Sequence, residues 1–341
     1  MKNTTITFFC LRPEEKSYLE KLFSKDGISA SVEYHSEIIS PDNLPAKNDA
    51  EVLSVFVDSI VNGPVLNMFP KLKFIAARAT GYDNIDLTET AKRGIIVSNV
   101  PSYGENTVAE FTFGLILSLS RKIYIAANQV KATGSFNLEK LRGFDIQGKT
   151  IGVVGTGRIG RHVIAAAKSF GMNVICYDPF PNDKFAQELA FKYVSLDELL
   201  NLSDIITLHL PYTKETHHLI NDAALSKMKK NAILVNTSRG GIVDTNALVK
   251  ALSEKQIAGA GLDVIEEEGA IKDELNLLSG GHPEEHNLRT ILEDHALMKM
   301  SNVIVTPHIA FNTEEALERI LDMTVENIKH WMEGKPQNVV K

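Results

Sequence analysis

Short apolar runs alternate with amphipathic stretches along most of this chain. In the first hundred residues the runs are ITFFCL (6–11), EVLSVFV (51–57), KFIAAR (73–78) and GIIVSNV (94–100). From residue 149 they continue as KTIGVVG (149–155), NVICYD (173–178), DIITLHL (204–210), AILVNT (232–237), IAGAGLDV (257–264) and NVIVTPH (302–308). β-Branched residues dominate these runs and turn residues bound them, so they predict strands. They are continuous rather than alternating, as suits parallel strands covered on both faces. Helical spacing predicts helices over Arg158–Phe170, Leu196–Leu202, Asp222–Lys229, Asp244–Ser253 and Thr313–Trp331. Strand and helix in alternation predict an α/β fold built on doubly wound parallel sheets.

Glu105–Arg121 is different, because it is apolar on most sides. It predicts a long buried helix, covered either by its own domain or by a second subunit. The last helix is expected to return to the first domain. The expected boundaries are 1–102 and 310–341 for a discontinuous, smaller domain and 103–309 for the doubly wound domain between them. The length of 341 residues agrees with two domains at about 150 residues each.

Charge narrows the partners. With 36 basic and 43 acidic residues the net charge is −7, which disfavours a nucleic-acid partner. No apolar stretch approaches the roughly 20 residues of a membrane span, and no signal-peptide pattern opens the chain. Two cysteines, Cys10 and Cys176, give no disulfide framework and suggest a reduced, cytoplasmic setting. Cys176, inside an apolar run, reads as a packing residue.

The first candidate chemistry is Gly155-Thr156-Gly157-Arg158-Ile159-Gly160, a G-x-G-x-x-G between a predicted strand and helix. Gly155 permits the tight turn, Gly157 lets backbone approach a diphosphate, and Gly160 allows close helix packing. Arg158 and Ile159 flank the diphosphate on free helical N–H groups. Asp178 ends the next strand, where it can accept from ribose hydroxyls and would repel a 2′-phosphate. The expected cofactor is therefore NAD. No phosphate loop of the ATP-binding kind is present.

Three more strands end in ionisable groups, at NTSRGG (236–241), GLDVIEEE (261–268) and TPHIAF (306–311). Together with ATGYDNIDL (79–87), NVPSYGENTVAE (99–110), GVVGTGRIGR (152–161), LHLPYTKETHHLIN (208–221) and VNTSRGGIVD (235–244), these motifs carry a resemblance over nearly the whole length. The chain resembles the NAD-dependent D-2-hydroxy acid dehydrogenases, most closely their D-lactate dehydrogenase subgroup. The resemblance implies a Rossmann-type domain, a flavodoxin-like substrate domain, a small 2-keto or 2-hydroxy acid substrate, and a homodimer.

By the same resemblance, Arg239 holds the substrate carboxylate and polarises the keto oxygen, His308 is the general acid and base, and Glu268 orients its imidazole. Glu266-Glu267-Glu268 leaves the register open within the run, and family spacing, five residues past Asp263, selects Glu268. Thr80 and Gly81 would hold the carboxylate through backbone N–H groups, with Tyr103, Phe311 and Phe56 beside the substrate side chain. On the cofactor side, Leu210 and Pro211 would line the adenine pocket and Thr216 the diphosphate. Thr237 and Ser238 lead into Arg239, and Asp263 would face the nicotinamide. Pyruvate is the expected substrate, bulkier 2-keto acids are the alternative, and an NAD-sensing corepressor is a remote third. The 269–301 insert contains an H-x-x-E-H sequence at 282–286, read as surface and not as a zinc site, and His217-His218 reads as an ordinary loop pair.

Overall fold

The computed structural model describes residues 4–268 and 288–340. The H-x-x-E-H sequence lies outside the described residues. By internal contacts the chain forms two compact units, Met1–Tyr103 with Asn312–Lys341, and Gly104–Phe311.

The smaller unit holds a parallel sheet of β1 (Thr4–Phe8), β2 (Ala30–Tyr34), β3 (Val52–Val55), β4 (Phe74–Ala77) and β5 (Ile96–Ser98), in the order β2-β1-β3-β4-β5. β3 and β4 are buried at every residue, so both faces need cover. On one face the cover is α1 (Pro13–Lys25) and the C-terminal helix Glu314–Met332. That helix puts Leu321, Val325 and Ile328 against Ile6, Phe8 and Phe74, and Trp331 stacks on Phe74 at 5.3 Å. The returning helix is thus part of this unit's core. Short helices α2 (Gly63–Leu66) and α3 (Leu87–Lys92) link the later strands.

The larger unit carries β6 (Thr150–Val154), β7 (Asn173–Tyr177), β8 (Lys192–Tyr193), β9 (Ile205–Leu208), β10 (Ile233–Asn236), β11 (Gly259–Leu262) and β12 (Val303–Val305). They form a parallel sheet in the order β12-β11-β10-β9-β6-β7-β8. The chain changes direction across the sheet between β6 and β9, the switch point at which such sheets bind ligands. Among the described residues its α-helices are α4 (Glu105–Ser120), α5 (Ile123–Thr133), α6 (Arg158–Ser169), α7 (Asp183–Glu188), α8 (Leu196–Leu202), α9 (Asp222–Ser226), α10 (Thr245–Ser253) and α11 (Leu288–Lys299). Separate apolar clusters cover its two faces, one built on Leu208 and Leu234, the other on Val153 and Val235.

α4 belongs to the second cluster, with Phe113, Leu115, Ile116 and Leu119 buried inside the unit. Those four side chains are covered within the unit, while Glu110 and Gly114 of the same helix stay exposed. α5 beside it buries no residue. Ile123 and Tyr124 are half exposed, and Phe136 and Leu138 just beyond are about four-fifths exposed.

Candidate active site

Strand register fixes where the chemistry sits. Val154, Leu208, Asn236, Leu262 and Val305 pair across the sheet in one row. The residues that follow them, Gly155, His209, Thr237, Asp263 and Thr306, therefore share its carboxyl edge. The candidate site residues of the larger unit follow strand ends along this edge, and Asp178 follows the end of the parallel strand β7.

At the glycine turn the three glycines have different duties. Gly155 has φ +95°, and a Cβ there would overlap the His209 carbonyl. A Cβ on Gly160 would overlap the carbonyl of Gly155. A Cβ on Gly157 would meet nothing within 4 Å. Gly157 and Arg158 are exposed, Ile159 is half-buried, and no side chain caps the start of α6. The first turn thus sets a helix N-terminus without a side-chain cap beside an open cradle, the arrangement a diphosphate needs.

Asp178 is held in place by Thr156, whose N–H and hydroxyl both donate to Oδ2 at 2.7 and 2.8 Å. The Phe180 N–H donates to Oδ1 at 2.9 Å. Tyr193 extends the network, with its hydroxyl 2.9 Å from Thr156 Oγ1. Thr156 is an unspecified position of the glycine fingerprint and Tyr193 belongs to no sequence motif, so the sequence carries no signal for this contact. These residues and the open cradle fit a dinucleotide. Leu210 is buried in the core and Pro211 is exposed. Thr216 uses its hydroxyl to close its own turn, donating to the Pro211 carbonyl at 2.8 Å.

Arg239 follows β10 on a turn built by Asn236, whose amide donates to the Arg239 carbonyl and accepts from the Ser238 N–H, at 2.9 and 3.0 Å. Thr237 turns inward to Thr112 of α4 at 3.1 Å, and Ser238 donates to the Leu208 carbonyl. These contacts fix the backbone on both sides of the half-buried guanidinium. A 3-10 turn, Gly240–Ile242, follows.

His308 Nδ1 lies 2.8 Å from Glu268 Oε1. Of the three consecutive glutamates it is Glu268 that reaches the imidazole. Its carboxylate accepts from Nδ1–H, which leaves Nε2 as the nitrogen facing outward. Phe311 lies edge-on to the imidazole, with ring centres 6.4 Å apart. His308 itself has φ +54°, a left-handed conformation uncommon outside glycine. Asp263 enforces it. Its carboxylate accepts from the Thr306 hydroxyl at 2.6 Å and from the Ile309 and Ala310 N–H groups at 3.0 and 2.8 Å. Its carbonyl accepts from the His308 N–H at 2.9 Å. Asp263 is buried, and burial pushes its carboxyl up against the pull of these donors. Expected to face the nicotinamide, Asp263 has both oxygens engaged with the 306–310 turn.

In the smaller unit, Thr80 and Gly81 follow β4. The Thr80 hydroxyl donates to the Val100 carbonyl and the Asn99 amide donates to the Thr80 carbonyl, at 2.9 and 2.7 Å. The turn is thereby pinned while its N–H groups keep no protein acceptor among the described residues. Arg78, fully buried beneath it, donates to the Phe9 and Cys10 carbonyls and to Ser54. Phe56 and Tyr103 are half-buried at the ends of their segments.

His217 and His218 do lie on a loop, but His218 is paired, with Nε2 2.6 Å from Glu266 Oε1. Nothing in the sequence joins two residues so far apart. Burial pushes the Cys176 thiol well up, in keeping with a packing residue.

Comparison with known proteins gives the same outline. Residues 113–310 match the family model for the NAD-binding domain of D-isomer specific 2-hydroxyacid dehydrogenases. The chain is 39% identical to a D-lactate dehydrogenase of Curvularia clavata over 340 residues, covering 97% of this chain and 93% of that one. It is equally 39% identical to a glyoxylate reductase of Korarchaeum cryptofilum over 297 residues, 86% of this chain and 83% of that one. Its fold matches the crystal structure of D-lactate dehydrogenase from Aquifex aeolicus complexed with NAD and lactic acid, with TM-score 0.83, 36% identity, and coverage of 97% and 96%. No helix among the described residues is long and apolar enough to cross a membrane. The chain belongs to the D-isomer specific 2-hydroxyacid dehydrogenases, NAD-dependent oxidoreductases that interconvert 2-hydroxy and 2-keto acids.

Proposed function

We propose that this enzyme reduces pyruvate to D-lactate. The observation that carries the reading is the His308–Glu268 hydrogen bond, on the sheet edge that also bears Arg239 and the glycine turn. NADH, when bound, supplies the hydride for the keto carbon. Arg239 pairs its planar guanidinium with the substrate carboxylate and draws electron density toward the keto oxygen. His308 delivers a proton from Nε2 to that oxygen and takes it back in the oxidation direction. Glu268 keeps the proton on Nδ1 and balances the charge of the imidazolium. Thr80 and Gly81, through their N–H groups, and Phe56, Tyr103 and Phe311 are the remaining residues assigned to the substrate in this reading.

Gly157, Arg158 and Ile159 would hold the diphosphate, Asp178 the ribose hydroxyls, and Leu210 and Pro211 the adenine. Thr216, Thr237, Ser238 and Asp263 support these groups through the turns they close. The likeness to a glyoxylate reductase favours a second reading, in which the preferred acid is smaller than pyruvate.

The test is NADH oxidation with glyoxylate, pyruvate, 2-ketobutyrate, 2-ketoisocaproate and hydroxypyruvate, with chiral analysis of the product. The highest kcat/KM on pyruvate, giving D-lactate, is expected. A higher value on glyoxylate selects the second reading. His308→Ala should lose at least about 100-fold in kcat, and near-normal turnover would remove His308 from the mechanism.

The enzyme works as a homodimer in the cytoplasm. The apolar surface of α5 and the segment after it, with Ile123, Tyr124, Phe136 and Leu138 uncovered, supports a subunit contact there. Phe136→Asp with Leu138→Asp should halve the mass seen by light scattering. An unchanged dimer would place the contact elsewhere.

A further inference from the structure

Arg239 and Glu268 lie beyond the ends of the neighbouring strands β10 and β11, where sheet pairing no longer aligns them. Something else must hold one against the other. The Glu266 carboxylate joins three segments. Oε1 lies 2.6 Å from His218 Nε2, and Oε2 accepts from the Thr245 N–H at 2.9 Å. The Glu266 side chain is only 18% exposed, so this pairing is sheltered from water.

The backbone tightens the same knot. The His218 N–H donates to the Gly241 carbonyl at 2.9 Å. Ile220 bridges Val243, with N–H···O bonds of 3.0 Å to Ile242 and from Asp244. Gly240, the residue after Arg239, lies directly on the Ile265–Glu266 peptide, where a Cβ would overlap the Ile265 carbonyl. His218 has φ +49°, a conformation that persists in a non-glycine residue only when its surroundings impose it. Asp244 already caps α10 through the Ala247 N–H, so capping alone does not require Glu266. Asp244 Oδ2 stands 4.0 Å from His218 Nδ1, and His217 stacks on His218 at 3.8 Å.

We propose that Glu266 and His218 are positioning residues, a clamp that sets the Arg239 turn against the segment carrying Glu268. The proposal deepens the reading above and rests on it for the roles of Arg239 and Glu268. Neither clamp residue touches the reacting atoms in this scheme. Their effect is the alignment of a keto acid held by Arg239 with a proton held by His308. Misplacement by about 1 Å in such an arrangement can cost roughly 100-fold in rate.

The experiment compares the full-length wild type with Glu266→Ala, Glu266→Gln, His218→Gln and the Glu266→Ala/His218→Gln double variant. It measures kcat and KM for the best keto acid, NADH affinity by fluorescence, and amide hydrogen exchange over 236–245 and 263–268. Glu266→Ala should lose roughly 10- to 100-fold in kcat/KM, with NADH affinity unchanged and exchange faster in both segments. Glu266→Gln keeps an acceptor for Thr245 and should recover most of the loss. The double variant should lose no more than the worse single one, since both break one clamp. Wild-type kcat/KM and unchanged exchange in folded Glu266→Ala would overturn the proposal, as would losses that add in the double variant. If Glu266→Ala does not fold, His218→Gln decides by the same measures. A wild type inert on every keto acid would overturn the functional reading alone, and the exchange rates would then decide the clamp.

Discussion

Asp178 is a carboxylate held by three donors, two from Thr156 and one from the Phe180 N–H. Such tethering fixes the direction in which its remaining lone pairs face, and direction is what distinguishes a ribose diol from a 2′-phosphate. The diol can donate to the carboxylate, whereas the phosphate meets like charge. Asp178→Ala should therefore weaken NADH more than NADPH in a titration of the free enzyme. Equal losses for the two cofactors would mean that Asp178 does not discriminate. His308 is positioned by the opposite device, a backbone forced into the left-handed region by Asp263. One acid aims itself at a ligand, and the other aims its neighbour.

At the scale of elements, the glycine turn separates folding from binding. Gly160 packs α6 onto the turn, so Gly160→Ala should destabilise the larger unit by about 1–3 kcal/mol through overpacking. Gly157 has φ −66° and open space where a Cβ would go, so Gly157→Ala should melt like the wild type. It should still weaken NADH by roughly tenfold or more, because the methyl occupies the place of the diphosphate. Thermal melts paired with NADH titration check both, and tight NADH binding by Gly157→Ala would contradict the cradle. The sequence made these elements legible because β6, β9 and β10 are buried almost throughout and read as unbroken apolar runs. β2 alternates between half-buried and exposed residues at a sheet edge and so carries no such run, whereas the apolar IYIAA that opens α5 is a run that the unit leaves unburied. The catalytic candidates were legible as motifs at strand ends. Their supports were not, because Glu266 meets His218 only once the sheet brings distant loops together.

For the whole molecule, the consequence of this buried polar machinery is a stability that depends on pH. Asp294 of α11 is fully buried, accepts from the Glu267 N–H at 3.3 Å, and has its second oxygen unpartnered among the described residues. Burial, with Glu266, Glu267 and Glu293 nearby, pushes its pKa up to about 7. In the unfolded chain the same group titrates near about 3.9. Between those values the folded protein holds a proton that the unfolded chain has released, so this group's contribution to stability falls as pH rises from about 4 to about 7 and then levels off. Asp294→Asn removes the titration while keeping an acceptor for the Glu267 N–H. Its melting temperature should match the wild type near pH 4 and exceed it by a few degrees at pH 8. Scanning calorimetry of both proteins across that range isolates the group, because every other titration is common to the pair. A difference in melting temperature that stays constant from pH 4 to pH 8 would show that Asp294 does not change protonation on folding.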